Sequence, residues 1–148
     1  NPYLLAWAKA NLSFARFAVC GSRPPLPEPD DQFDVVYAVD VFSHLEESAQ
    51  VPWFDELARV LRPGGLMLVS LHGASWMDNL PLTLRRTFAD GRLAVLRPML
   101  SGTNGCAAYH PRAYVERVLG QRLPLVEHVE HGAEELWQDL AVFRKPER

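Results

Sequence analysis

Two unbroken apolar runs with a helical pattern between them constrain this chain more than any other feature. Phe33-Asp34-Val35-Val36-Tyr37-Ala38-Val39 is rich in β-branched and aromatic residues and does not alternate with polar ones. That is the pattern of a parallel strand covered on both faces. Phe54, Leu57, Ala58 and Leu61 then fall at i, i+3, i+4 and i+7, with Pro52 suited to a first helical turn. Arg59 and Arg62 lie where the helix dipole favours cations. Pro63-Gly64-Gly65 stops that helix, and Leu66–Leu71 is the second apolar strand. Strand, helix and strand predict a right-handed βαβ crossover, and with it an α/β fold on a mostly parallel sheet.

The flanking segments are shorter. Leu4, Leu5, Ala8 and Leu12 form a helical stripe over Tyr3–Ser13, with Asn1 as its cap and Pro2 in its first turn. Phe17-Ala18-Val19-Cys20 reads as a short buried strand. Pro24, Pro25, Pro27 and Pro29 then make Gly21–Asp31 a stiffened loop. Further on, Asp78–Phe88 is expected as a helix, Leu93–Leu96 as a short extended piece and Ser101–Gly105 as a turn cluster. Pro111–Leu119 is expected as a helix ended by Gly120. Leu123–His131 and Leu136–Phe143 close the chain as an antiparallel pair joined at Gly132-Ala133, and there is no internal repeat.

At 148 residues and 48% hydrophobic, the chain is one domain with a real core. Its formal net charge is -3, and its 15 Lys and Arg never gather into a stripe, which argues against nucleic acid as a partner. The most apolar opening stretch, Asn1–Cys20, is interrupted by Lys9, Asn11, Ser13 and Arg16. It neither spans a bilayer nor has a signal-peptide layout, so a cytoplasmic location is expected. Cys20 and Cys106 are far apart and no CxxC occurs, the pattern of two reduced thiols. His128 and His131, three apart on a strand, point to opposite faces, so no metal site is expected.

Ligands of an open parallel sheet bind beyond the carboxyl ends of its strands. The residues in those places are Gly21-Ser22-Arg23, Asp40-Val41-Phe42-Ser43-His44 and His72-Gly73-Ala74-Ser75-Trp76. Each has a plainer reading beside the functional one. Asp40 either caps the following turn or contacts a ligand. His44, with no carboxylate partner visible in the sequence, reads first as a packed turn residue and second as a base. His72 fits either role. Trp53, Phe54 and Trp137 read as core, and Gln138-Asp139 as a satisfied polar pair before a functional one.

In series, Pro25-Leu26-Pro27, Phe33-Asp34-Val35-Val36, Ser43-His44-Leu45, Trp53, Glu56-Leu57 and Arg59-Val60-Leu61-Arg62-Pro63-Gly64-Gly65 resemble the second half of a class I S-adenosylmethionine-dependent methyltransferase. The resemblance is good over residues 1–75, and Gln138–Pro146 is similar to the last strand of many such enzymes. It implies a Rossmann-like three-layer sandwich with a closing antiparallel hairpin, truncated at its N-terminus so that residues 1–148 are a single partial domain. The family's glycine-rich loop and ribose-binding acid would lie before Asn1. An isolated chain would therefore leave strand edges that a missing N-terminal segment or a second chain completes.

The resemblance further implies S-adenosylmethionine as cofactor and a small-molecule methyl acceptor, with no nucleic acid, membrane or metal. Ser22, where the family often has an aspartate near the adenine, Arg23, Ala38, Val39, Asp40, Val41 and His44 would contact the cofactor. His44 and His72 are the candidate bases, needed where the acceptor arrives protonated. Trp76, Tyr109 and His110 would form an acceptor lid. A non-catalytic interaction module of the same fold is the main rival, motivated by Ser22 and by the absent glycine loop. A dehydrogenase-like nucleotide binder is a distant third, since no GxGxxG turn is present.

Overall fold

The computed structural model describes residues 2–147, so the expected Asn1 cap lies outside the described residues. The elements run α1 (Pro2–Asn11), β1 (Phe33–Ala38), α2 (Glu47–Val60), β2 (Leu61–Leu71), α3 (Leu82–Ala89), β3 (Ala94–Leu96), β4 (Ala107–Tyr109), α4 (Arg112–Tyr114), β5 (Leu125–Ala133) and β6 (Gln138–Arg144). Among the described residues the main sheet has the order β1-β2-β6-β5, and β3 and β4 form a separate antiparallel pair.

The expected β1–α2–β2 unit is present, with β1 and β2 paired in parallel. β6 opposes both β2 and β5. Three of the four strands therefore share one direction, but the reversed strand lies between β2 and β5, so β1–β2 is the one parallel ladder among the described residues. The expectation of a mostly parallel sheet holds for strand direction and fails for pairing.

Met67, Val69 and Leu71 of β2 share a face with Phe143 and Ala141 of β6. This face carries the core, closed by Phe54 of α2 and by Tyr114, Val115 and Leu119. Phe54 is fully buried and meets Phe143 edge-on at 4.9 Å between ring centroids; its burial contributes roughly 1.5–3 kcal/mol. On the other face Leu66, Leu68, Leu140 and Val142 are half-buried and Tyr37 is exposed. β1 is therefore not covered on both faces, with Val35 and Tyr37 exposed.

Three local expectations need correction. Phe17–Cys20 is not a strand: no ladder partner lies beside it among the described residues, and without one a β-run has nothing to satisfy its backbone. Pro52 sits inside α2 rather than in its first turn, because Glu46 caps the helix earlier by accepting the Ser48 amide. α2 also ends at Val60, ahead of Pro63-Gly64-Gly65, and the chain passes directly into β2. There Lys145, just past the closing strand, donates through Nζ to the carbonyls of Ala58 (2.8 Å) and Leu61 (2.7 Å) and to Asp31 (2.8 Å). A cation thereby covers carbonyls that a helix end leaves open.

The helix expected from Pro111 starts at Arg112 and continues as a π-turn over Val115–Leu119. Gly120 ends it, though in a right-handed conformation. A Cβ there would lie 2.5 Å from the Glu116 carbonyl, so close approach and not a left-handed turn requires the glycine.

Candidate active site at the carboxyl ends of β1 and β2

β1 ends at Ala38, and two residues later Asp40 turns the chain with φ 53°, a left-handed conformation uncommon outside glycine. Four groups hold it there. Its amide donates to Ser70 Oγ (2.8 Å), and its Oδ1 accepts from Ser43 Oγ (2.7 Å) and Gln138 Nε2 (2.7 Å). His44 Nε2 lies 3.4 Å from the same oxygen. Burial works to raise the Asp40 pKa, but the donors Ser43 and Gln138 and the nearby His44 outweigh it and hold the carboxyl below its usual range. Neither Asp40 nor any other side chain caps the turn Phe42–His44; Asp40 takes the Ser43 hydroxyl instead of a backbone N–H.

His44 directs Nδ1 to the Cys106 carbonyl at 2.9 Å, so Nδ1 carries the proton and Nε2 is the nitrogen left facing Asp40. The carboxylate partner that its sequence context did not reveal is therefore Asp40. His72, just past β2, is buried between Trp76 (ring centroids 4.3 Å apart) and Tyr109 (5.3 Å). Its pKa is lowered, chiefly by burial, and its Nδ1 has no partner among the described residues.

Trp76 is partly buried and donates through Nε1 to the Trp137 carbonyl at 2.5 Å, tying the segment after β2 to the β5–β6 connection. Trp137 itself is not core: it is 69% exposed at φ 53° on that connection. Tyr109 is buried and its pKa raised by burial. His110, the third residue of the expected lid, lies deeper than Trp76. It is 1% exposed, with Nε2 on Gln50 Oε1 at 3.1 Å, and burial drives its pKa down to about 3.

The proline-rich loop is clamped by the end of α2. Glu56 Oε1 accepts the Leu26 amide at 2.6 Å. Arg59 donates to Glu56 (2.6 Å), to the Glu28 carbonyl (2.9 Å) and to Asp30 (2.6 Å). The Arg59 contacts hold the Glu56 carboxyl below its usual range. This clamp is the physical content of the Glu56-Leu57 and Arg59-Val60-Leu61 motif pieces: it sets where the loop bearing Ser22 and Arg23 runs. Ser22, Arg23 and Pro24 line one wall of a cleft of about 420 Å³, faced by Glu46, Pro52, Trp53 and Ser101.

The expected cofactor residues thus occupy two places. Ser22 and Arg23 lie on the cleft; Val39, Asp40, Val41 and His44 lie at the rim, with Val39 and Val41 about half exposed. Ala38 is buried in the core, so only its backbone could face a ligand. His44 and His72, the two candidate bases, come together at 6.4 Å between ring centroids. Sequence reading missed the roles of Ser70 and Gln138. The available signal was a lone hydroxyl in an apolar strand and a buried amide at a strand start, each of which needs a partner.

Asp139 is buried against Gly73, where a Cβ would overlap its carboxylate, and it pairs with His128 at 2.9 Å. Among the described residues no group of three or more His, Cys, Asp or Glu could hold a metal ion, and no helix is long and apolar enough to cross a membrane.

Comparison with known proteins bears on this site. Residues 1–69 match the family model of a methyltransferase domain. A "Probable S-adenosylmethionine-dependent methyltransferase" of Mycolicibacterium smegmatis is 40% identical over 78 residues. That stretch is 53% of this chain and 25% of the relative, so the chain spans about a quarter of the length of the curated protein it matches. Among solved structures, an S-adenosylmethionine-dependent methyltransferase from Mesorhizobium loti superposes with a TM-score of 0.70 at 16% identity, over 98% of this chain and 77% of that one. A Burkholderia thailandensis 1,6-didemethyltoxoflavin-N1-methyltransferase, solved with 1,6-didemethyltoxoflavin and S-adenosylhomocysteine, gives 0.67 at 13% identity over 99% and 57%. Over its first part this chain is thus similar in sequence to a methyltransferase domain, and over nearly all its length it shares the fold of S-adenosylmethionine-dependent methyltransferases.

Proposed function

We propose that the intact protein transfers a methyl group from S-adenosylmethionine to a small organic acceptor. The observation that carries this reading is the convergence of Asp40, His44 and His72 at the carboxyl ends of β1 and β2, where such a fold binds its ligands. The residues present fit the cofactor in two respects. The cleft beside Ser22, Arg23 and Trp53 offers a hydroxyl, a guanidinium and an indole in a space that holds a purine. Asp40 offers an anionic oxygen, Oδ2, that takes no hydrogen bond among the described residues and suits an ammonium or hydroxyl donor.

The bound cofactor supplies an electrophilic methyl carbon activated by its own sulfonium charge, so the protein's work is alignment and proton handling. His44 is the better proton acceptor of the two histidines. Its Nδ1–H is fixed on Cys106, its Nε2 keeps a lone pair, and Asp40 stands ready to stabilise the imidazolium. His72, stacked between two aromatic rings, is held neutral and acts as wall rather than base. Trp76 beside it would cover the acceptor. The small-molecule acceptor draws support from the toxoflavin-type ligand of the Burkholderia structure.

Turnover tests the proposal: incubation of the intact protein with S-adenosylmethionine and pooled small-molecule acceptors is expected to release S-adenosylhomocysteine, with His44→Ala lowering the rate about 10²-fold or more. Release that does not depend on His44 would remove its assigned role. The second reading, a non-catalytic module, is favoured by Ser22 on the cleft and by exposed Tyr3, Leu4 and Trp7 on α1. It predicts no S-adenosylhomocysteine release and no cofactor binding by a folded protein.

A further inference from the structure

Asp40, Ser70 and Gln138 close a hydrogen-bonded ring across three strands. The Asp40 amide donates to Ser70 Oγ at 2.8 Å, and the Ser70 hydroxyl donates to Gln138 Oε1 at 2.6 Å. Gln138 Nε2 then returns to Asp40 Oδ1 at 2.7 Å. Ser70 is fully buried and Gln138 is 2% exposed, whereas the Asp40 side chain is 41% exposed. The ring is fully satisfied and directional: the one hydroxyl proton and the amide's two ends leave no second arrangement that keeps all three bonds. It also spans the chain, from the end of β1 through β2 to the first residue of β6, 98 positions from Asp40.

Its consequence falls on one carboxylate. Oδ1 accepts from Ser43 and Gln138, and His44 Nε2 lies 3.4 Å from the same oxygen. Every structural donor is loaded on that oxygen, and the left-handed backbone that points the side chain this way is held by Ser70. Such a conformation is sparsely populated on its own and persists because its surroundings over-determine it.

We infer that Ser70 and Gln138 are positioning residues that fix Asp40 so that its Oδ2 alone is presented to the bound cofactor or acceptor. This rests on the methyltransferase reading for the identity of the ligand, but not for the ring itself. The titratable groups that face Asp40 are His44, from the turn after β1, and His72, from the end of β2; β6 contributes the neutral Gln138.

The test uses the intact protein and two readouts. The first needs no ligand: ¹³C-carboxyl NMR titration of Asp40 in Gln138→Leu is expected to show an upward shift of its pKa, because a donor to the anion is gone. An unmoved titration overturns the inference. The second is S-adenosylhomocysteine affinity. Asp40→Asn keeps an oxygen for Ser43 and Gln138 but replaces Oδ2 with an N–H donor, so a folded protein should bind about tenfold or more weakly.

Gln138→Leu should also weaken binding, and Gln138→Leu added to Asp40→Asn should weaken it no further, since Gln138 acts through Asp40. Additive losses, or wild-type affinity in Asp40→Asn, refute the positioning role. Ser70→Ala opens the same ring from the other side and takes the place of Gln138→Leu should that variant not fold. Failure of the wild-type protein to bind at all would strike the methyltransferase reading, while the NMR readout would still judge the ring.

Discussion

His110 makes a quantitative test of the core because a single proton decides its behaviour. Gln50 spends both amide hydrogens on the carbonyls of Phe42 (3.1 Å) and Leu45 (2.7 Å), so its Oε1 must accept, and His110 must meet it with a protonated Nε2. A second proton on Nδ1 would be buried without a partner among the described residues. Burial accordingly lowers the His110 pKa to about 3, with the nearby His72 and His128 adding to the effect.

Linkage sets the sign. The unfolded chain takes up this proton near pH 6.5 and the folded chain does not until about pH 3. The stabilisation is therefore complete above pH 6.5 and declines as pH falls through that window, by at most ~1.4 kcal/mol per pH unit. At pH 5 the loss is ~2 kcal/mol relative to pH 8. Urea unfolding followed by tryptophan fluorescence at pH 8, 6.5 and 5 measures it.

His110→Leu removes this titration, and at pH 8 it should cost about 1–3 kcal/mol for the Gln50 oxygen left bare. The gap between the two proteins should then narrow by ~2 kcal/mol at pH 5. A gap that stays constant across the series would mean that His110 is not held neutral, and would refute the burial argument.

Other perturbations probe the remaining joints. Gly73→Ala places a methyl where the Asp139 carboxylate sits and should destabilise by about 2 kcal/mol or more, read as a lower urea midpoint at unchanged slope. Glu56→Gln should loosen the proline-rich loop, raising protease sensitivity at 24–30 and costing about 1–3 kcal/mol, because the Leu26 amide and Arg59 lose their shared anion. Since Glu56 has a lowered pKa, its contribution is present above the ordinary glutamate range and lost as pH falls through its folded value; the Glu56→Gln variant should lack that acid-limb dependence. Lys145→Met should destabilise α2's C-terminal end, seen as faster amide exchange at Arg59–Leu61.

What the sequence disclosed follows the range of the forces involved. The β1–α2–β2 unit was legible because periodicity is local, although Pro63-Gly64-Gly65 falls inside β2 and does not itself stop the helix. Phe17–Cys20 misled because its apolar composition fits a strand, yet a strand exists only by its neighbour. Trp137 misled because an aromatic residue usually packs, whereas here the short β5–β6 connection turns it outward with a left-handed backbone. At the site, Asp40, His44 and His72 were marked by their place after strands. Ser70 and Gln138 could not be joined to Asp40 without the register that brings β6 beside β2. His110 was expected in an acceptor lid with Trp76 and Tyr109; only the tertiary contact with Gln50 reveals how deeply it is buried.

The central claim is that the ligand site lies where the chain leaves β1, beside the loop held by Arg59 and Glu56. Amide hydrogen exchange of the intact protein with and without saturating S-adenosylhomocysteine tests it directly. Protection is expected to concentrate at Val39–Glu46 and Ser22–Arg23, with little change in α3 or β5. Protection elsewhere, with those two segments unaffected by a ligand that binds, would contradict it.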